Sequence, residues 1–194
     1  IDGGTDIGAD LVDADLFIVD DGAGGTNRKT AASRLKTYIG GGITHASQWR
    51  TTTDATEADP VVNWEVADTD QYGGIGTAMS ESSGTFTFPV TGIWQITATG
   101  MFADNAESRA NNFIIYTTVD NSTWLVAAYG SDSVQQLQSS AGYACVTSDF
   151  LMDVSDLSNH KVKFASDCLG DDAELKGSTG GNLSHVTFIR LGDT

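Results

Sequence analysis

Proline is almost missing from this chain, at two in 194 residues, as is cysteine, also at two, and ten Lys and Arg face 26 Asp and Glu. Each scarcity removes a class of molecule. Cys145 and Cys168 are too few for a disulfide framework and lack metal-ligand spacing, so they read as two free, buried thiols. A formal net charge of −16 repels a phosphate backbone, and no Lys/Arg stripe interleaved with aromatics offsets it, which excludes nucleic acid as a partner. No apolar run approaches the ~20 residues of a membrane-spanning helix, and no charged-then-apolar leader precedes Ile1, so the chain reads as soluble, without membrane insertion. Its start at Ile1 rather than Met points to a fragment or a processed product. Long amphipathic runs are lacking too. No helical periodicity outlasts about three turns, so helices cannot carry the fold.

What is present is a series of short alternating segments separated by Gly, Asp, Asn and Ser. The clearest is Gly84–Phe102. In Phe86-Thr-Phe-Pro-Val, apolar and polar residues alternate; Pro89 and Gly92 then supply a break, and Trp94, Ile96 and Ala98 recur at period two. The stretch predicts two paired strands joined by a turn, with Phe86, Phe88, Trp94 and Ile96 in the core. A second hairpin is expected from Phe113–Val119 and Thr123–Tyr129 around Asp120-Asn121-Ser122. His45–Arg50, Val61–Val66, Gly142–Val154, His160–Ala165 and Leu183–Leu191 bring the candidates to about eight to ten strands at short spacing, the signature of an all-β sandwich.

Ahead of these, Leu16–Val19 and Asn27–Thr30 predict a hairpin around the Asp20–Gly25 turn. Thr30 is placed to cap a short helix carrying Leu35, Tyr38 and Ile39 on one face, ended by Gly40-Gly-Gly. So small a unit cannot bury enough surface to offset its ordering entropy and needs a neighbour. The division expected is an attachment module at 1–42 and a head domain at 43–194. Arg28, Lys29, Arg34 and Lys36 stand against Asp13, Asp15, Asp20 and Asp21, a self-paired charged surface or one that docks on sister chains.

The last strand is unusual. Val186 and Phe188 point one way and Ile189 and Leu191 the other, so both faces are apolar. One face belongs to the core; the other needs a partner, most simply another copy of the chain.

Catalytic patterns are thin. His45, His160 and His185 fall in separate strand candidates with no Gly-x-Ser-x-Gly elbow. Gly22-Ala-Gly-Gly lacks the Lys of a phosphate loop. No catalytic residue is assigned. Asp167, Asp171, Asp172 and Glu174 form an acidic loop with hard oxygens of the kind that hold calcium, without the spacing of a helix-flanked calcium loop. A solvated surface loop, with no cofactor, is the plainer expectation.

The run Phe86-Thr-Phe-Pro-Val-Thr-Gly-Ile-Trp-Gln-Ile, with the terminal Asn182-Leu-Ser-His-Val-Thr-Phe-Ile-Arg-Leu-Gly-Asp, resembles the globular heads of complement component 1q and its tumour-necrosis-factor-like relatives. Phe86, Pro89 and Gly92 fall in register with that family's Phe-x-x-Pro-x-x-Gly-x-Tyr, and Trp94 stands where Tyr is usual. The resemblance spans about Ile43 to Thr194. It implies a jelly roll of about ten strands, trimerising about the face that bears the terminal strand, in a family where calcium sites also occur. Asp13-Ala-Asp-Leu-Phe-Ile-Val through Thr30, with Ser33-Arg-Leu-Lys-Thr-Tyr-Ile, resembles segments of fibre and appendage proteins of tailed bacteriophages, particularly marine ones. That implies a virion structural protein, non-enzymatic and homotrimeric, bound to other virion proteins through residues 1–42. Its outer loops would meet a host surface glycan through aromatics such as Trp124 or Tyr129, unless these belong to the core. The alternatives are a secreted or cell-surface bacterial binding module of the same fold, and a polysaccharide depolymerase. The latter usually shows a repetitive β-helix period, which this chain lacks.

Overall fold

The computed structural model describes residues 8–20, 24, 27–39, 42–69, 71–135, 141–169 and 172–194. The chain divides into two compact units, Ile1–Gly42 and Ile43–Thr194.

In the first unit, β1 (Leu16–Asp20) pairs antiparallel with β2 (Asn27–Ala31), Leu16 opposite Ala31 and Asp20 opposite Asn27. The helix α1 (Ala32–Ile39) follows without a gap. Thr30, expected as its cap, is instead a strand residue opposite Phe17. The first helical turn is held by backbone from before β1: Ala32 N donates to the Asp15 carbonyl at 2.8 Å. Most of the expected Asp20–Gly25 turn, and the side chains of Tyr38 and Ile39, lie outside the described residues; Leu35 is partly exposed.

The second unit runs β3 (Ala46–Thr51), β4 (Trp64–Val66), β5 (Ser80–Ser82), β6 (Thr85–Thr87), β7 (Gly92–Asp104), β8 (Ser108–Thr118), β9 (Leu125–Val134), β10 (Gly142–Val154), β11 (Lys161–Cys168), β12 (Glu174–Leu175) and β13 (His185–Gly192). It is an all-β jelly-roll sandwich. A six-stranded sheet has the order β10-β7-β13-β3-β4, with β12 also on β7, and a five-stranded sheet has the order β5-β6-β11-β8-β9.

The strand pair expected at Gly84–Phe102 is not a hairpin. β6 pairs with β5 and β11, whereas β7 lies in the other sheet between β10 and β13. Alternation reports which side of a strand is buried, and that is the same whichever strand lies next to it. The Phe88–Thr91 segment therefore crosses from one layer to the other and carries Phe88 into the space between. Gly92, at φ 142°, completes the crossing; a Cβ there would sit 2.4 Å from the Gly192 carbonyl oxygen.

The second hairpin forms as β8–β9. Asp120 Oδ1 accepts from the backbone N–H of Thr123 at 2.7 Å and of Ser122 at 2.9 Å, and from the Thr118 hydroxyl at 2.9 Å. These bonds, the Thr123 amide foremost, hold the carboxyl well below the usual carboxylate range. Asn121 takes the left-handed conformation, φ 56°, that the tight turn requires.

Between the sheets lies an aromatic core centred on Phe86, whose ring centroid is 5.2 Å from that of Phe188, 5.4 Å from Trp49, 5.5 Å from Trp64 and 5.6 Å from Phe164. Phe88 packs on Trp94 at 5.3 Å, and Trp94 Nε1–H donates to the Val90 carbonyl at 3.2 Å, satisfying the one polar atom its burial would otherwise strand. Ile96 is fully buried beside them. Of the two thiols, Cys168 is buried, and that burial, with Asp167 and Glu57 nearby, pushes it up to about 11. Cys145 is exposed, against expectation, because β10 turns Ala144 and Val146 inward and leaves Cys145 on the opposite parity.

Candidate functional site: the outer face of the six-stranded sheet

β13 lies between β7 and β3, so its neighbours are settled by backbone pairing. Val186 and Phe188 are fully buried between the layers. Ile189, of opposite parity, is half-buried on the outer face, and Leu191 is exposed beside an irregularity between Arg190 and Gly192 against β7. Around Ile189, four strands place their residues in rows. Leu151, Gln95, Ile189 and Ala46 stand side by side across β10, β7, β13 and β3; Asp149, Thr97, Thr187 and Gln48 form the next row, and Thr147, Thr99, His185 and Arg50 the third.

The rows are knitted by their own side chains. The Thr97 hydroxyl donates to Asp149 Oδ1 at 2.5 Å, the Thr99 and Thr147 hydroxyls lie 3.1 Å apart, and Gln48 Nε2 donates to the Thr187 hydroxyl at 2.9 Å. These hydroxyls are thus paired within the face, and the Asp149 carboxylate among them is bonded by a hydroxyl and by no cation among the described residues. Large apolar groups remain open at its β10 side, where Leu151 is 60% and Tyr143 63% exposed. Burying such a patch against a like surface removes apolar area from water.

The third row ends in His185, named above only as one of three separated histidines, and Arg50, which nothing local in the sequence marks. Arg50 is 1% exposed, and its guanidinium is fully engaged: Nε donates to Glu65 Oε1 at 2.8 Å, an Nη to Asp68 Oδ1 at 2.5 Å and the other to the Thr69 hydroxyl at 2.9 Å. The segment after β4 therefore folds over the β3 edge of this face. His185 has a buried Nδ1 with no hydrogen-bond partner among the described residues, and burial lowers its pKa, which favours the neutral ring.

The histidines perform local work. His45 Nδ1 bonds the Thr44 hydroxyl at 3.0 Å, and His160 Nδ1 bonds the Asp153 carbonyl at 3.1 Å. Of the acidic loop, Asp171 lies outside the described residues. Asp167 accepts from Asn112 Nδ2 at 3.2 Å, Glu174 pairs with Lys176 at 3.0 Å, and Asp172 is exposed. Among the described residues, no group of three or more His, Cys, Asp or Glu could hold a metal ion. Of the two aromatics singled out for a sugar, Tyr129 is exposed, and Trp124 is half-buried with Lys163 Nζ 5.1 Å from its ring centroid.

No protein-family model and no curated protein sequence matches the chain. Solved structures do. The Eiger TNF of S. frugiperda superposes with a TM-score of 0.57 at 12% identity, over 79% of this chain and 95% of that one. Murine APRIL at pH 5.0 gives 0.56 at 9% identity, over 76% of this chain and 98% of that one, and murine APRIL at pH 8.5 gives 0.54 at 9% identity with the same coverage. The chain therefore has the tumour-necrosis-factor-like jelly-roll fold.

Proposed function

We propose that the chain is a non-enzymatic, homotrimeric fibre or spike protein of a bacteriophage particle, with residues 43–194 as its outward head and residues 1–42 as its attachment side. The observation that carries the trimer is the outer face of the six-stranded sheet. Its rows of internally bonded hydroxyls and amides, flanked by exposed Leu151 and Tyr143, offer apolar and hydrogen-bonding surface for two sister subunits to cover, with the Asp149 carboxylate bonded by the Thr97 hydroxyl. The wording of residues 13–30 and 33–39 supports the virion assignment. Polarity follows from size, because among the described residues the buried apolar core lies in the jelly roll. Contact with a host surface would be weak per head and multiplied by three-fold presentation.

Light scattering of the whole chain gives a mass three times its 20.4 kDa on this reading, and a monomer at micromolar concentration overturns it. Mass spectrometry of purified particles tests the virion assignment separately: absence of the chain refutes it and leaves the trimer intact.

A further inference from the structure

The opposite side of the sandwich carries a groove away from the face proposed for trimerisation. On the outer face of the five-stranded sheet, β8 runs between β11 and β9, and register sets Asp167, Asn112 and Ser131 in one row and Ala165, Ile114 and Tyr129 in the next. Two residues along a strand separate these rows by about 6.8 Å, comparable to the breadth of one sugar ring. Asn112, Ile114, Val126, Tyr129, Ser131 and Asp167 line an open cavity of about 440 Å³. That volume falls within the range of small-ligand sites.

Its lining divides into two chemical halves. Ile114, Val126 and Tyr129 are apolar surface, and Tyr129 is 63% exposed, so its ring is open to a ligand. Asp167, Asn112 and Ser131 supply hydrogen-bonding groups one row away. The Asn112 amide donates to Asp167 Oδ2 at 3.2 Å, which leaves the second carboxylate oxygen and the amide oxygen to accept from hydroxyls, and the Ser131 hydroxyl to donate. A purely apolar ligand would strand this row, and a phosphate, sulfate or uronate would meet Asp167 with no cation among the lining residues to offset it. The nearby cation is already occupied: Lys163 Nζ lies 2.6 Å from Asp59 and 5.1 Å from the ring centroids of Tyr116 and Trp124. The chain's net charge of −16 acts in the same direction.

We propose that this groove binds a neutral saccharide, with the apolar face of one sugar ring on Tyr129 and its hydroxyls on Asp167, Asn112 and Ser131. This rests on the reading of the jelly roll as an attachment head, but the groove is complete within one subunit and does not require the trimer.

The test is saturation-transfer NMR on the whole chain with glucose, galactose, mannose, N-acetylglucosamine and N-acetylgalactosamine, and with glucuronate and N-acetylneuraminate as anionic counterparts. Light scattering is recorded on the same samples. At least one neutral sugar is expected to bind with a dissociation constant on the order of 1 mM. Tyr129→Ala and Asp167→Ala each weaken it at least about tenfold, roughly one stacked or charge-assisted contact. Ser131→Trp, which fills the groove from its rim, abolishes binding while thermal melting shows the fold retained. The inference is overturned if none of the five neutral sugars binds, if the variants bind as well as the parent chain, or if the anionic sugars bind better. Sugar binding by a monomer supports the groove and refutes the trimer; a trimer that binds no sugar does the reverse.

Discussion

The amino-terminal unit and the jelly roll are both built on antiparallel strands with alternating side chains, yet every buried apolar residue among those described lies between Val61 and Phe188. In β1 the alternation is as regular as in β7, but Leu16 and Ile18 remain open, Ile18 at 78%. β7 has a second sheet to face, whereas the described residues of the first unit supply β1 with a single two-stranded sheet. A hairpin supplies backbone hydrogen bonds and one apolar side; the interior comes only when a second layer covers that side. Propensity is therefore enough for strands, and layering decides which strands are stable.

The contrast breaks most sharply at Phe86. With four aromatic rings around it, Phe86→Ala should cost about 3–5 kcal/mol, a large part of a domain's total stability, and calorimetry should show the jelly-roll transition fall or vanish. A melting temperature unchanged within a few degrees would refute the two-layer account. Next in size is the difference between the two faces of one sheet. Val186→Asp buries an unpaired carboxylate in the core and should yield unfolded chain, whereas Ile189→Asp or Leu151→Asp should give a folded monomer, read by circular dichroism and light scattering together. A folded trimer carrying Leu151→Asp counts against this face as the interface.

Cutting the chain at residue 42 tests the comparison directly. Residues 43–194 should keep both their melting transition and their threefold mass, and the isolated peptide 1–42 should show a coil spectrum, since so short a chain cannot offset its ordering entropy. Loss of trimerisation in the truncated head would move the assembly determinant into the amino-terminal unit. A smaller effect is expected from His185. Its folded-state pKa is lowered by burial, so as pH falls below the ordinary value of 6.5 the unfolded chain takes up the proton first and the fold loses stability; above 6.5 that contribution is complete. Urea denaturation of His185→Gln should show a weaker loss of stability than the parent between pH 7 and 5. Thiol labelling gives the mildest probe, because it leaves the fold intact. Cys145 should react slowly in the trimer and quickly in Leu151→Asp, while buried Cys168 stays unreactive in both.

The strands of the jelly roll were legible because most of them bury one face, and burial on one face leaves a period of two in the residues themselves. Gly142–Val154 reads the same way in sequence and in structure. The apparent hairpin at Phe86–Ile96 misled for the same reason, since its alternation is real but carries no record of which sheet each half enters. Arg50 escaped notice because a basic residue on an alternating strand looks solvent-facing, and the groups that engage it, Glu65, Asp68 and Thr69, come from a later segment. Tyr129 was picked out as an aromatic, but nothing local marked Asn112 and Asp167 as its neighbours; β8 and β11 bring them beside Tyr129 and Ser131 of β9.

By itself the sequence determined the all-β class, the inward and outward residues of most strands and the turn at Asp120, because each depends on side-chain period or on bonds reaching only a few residues. Only the tertiary structure decided that β6 and β7 belong to different sheets, that Arg50 is buried, that Cys145 is open, and which outer faces lie bare. Those depend on which distant strands share backbone hydrogen bonds, and the backbone donors and acceptors that make them are the same in nearly every residue, so the choice of partner is settled by how the whole chain closes its layers.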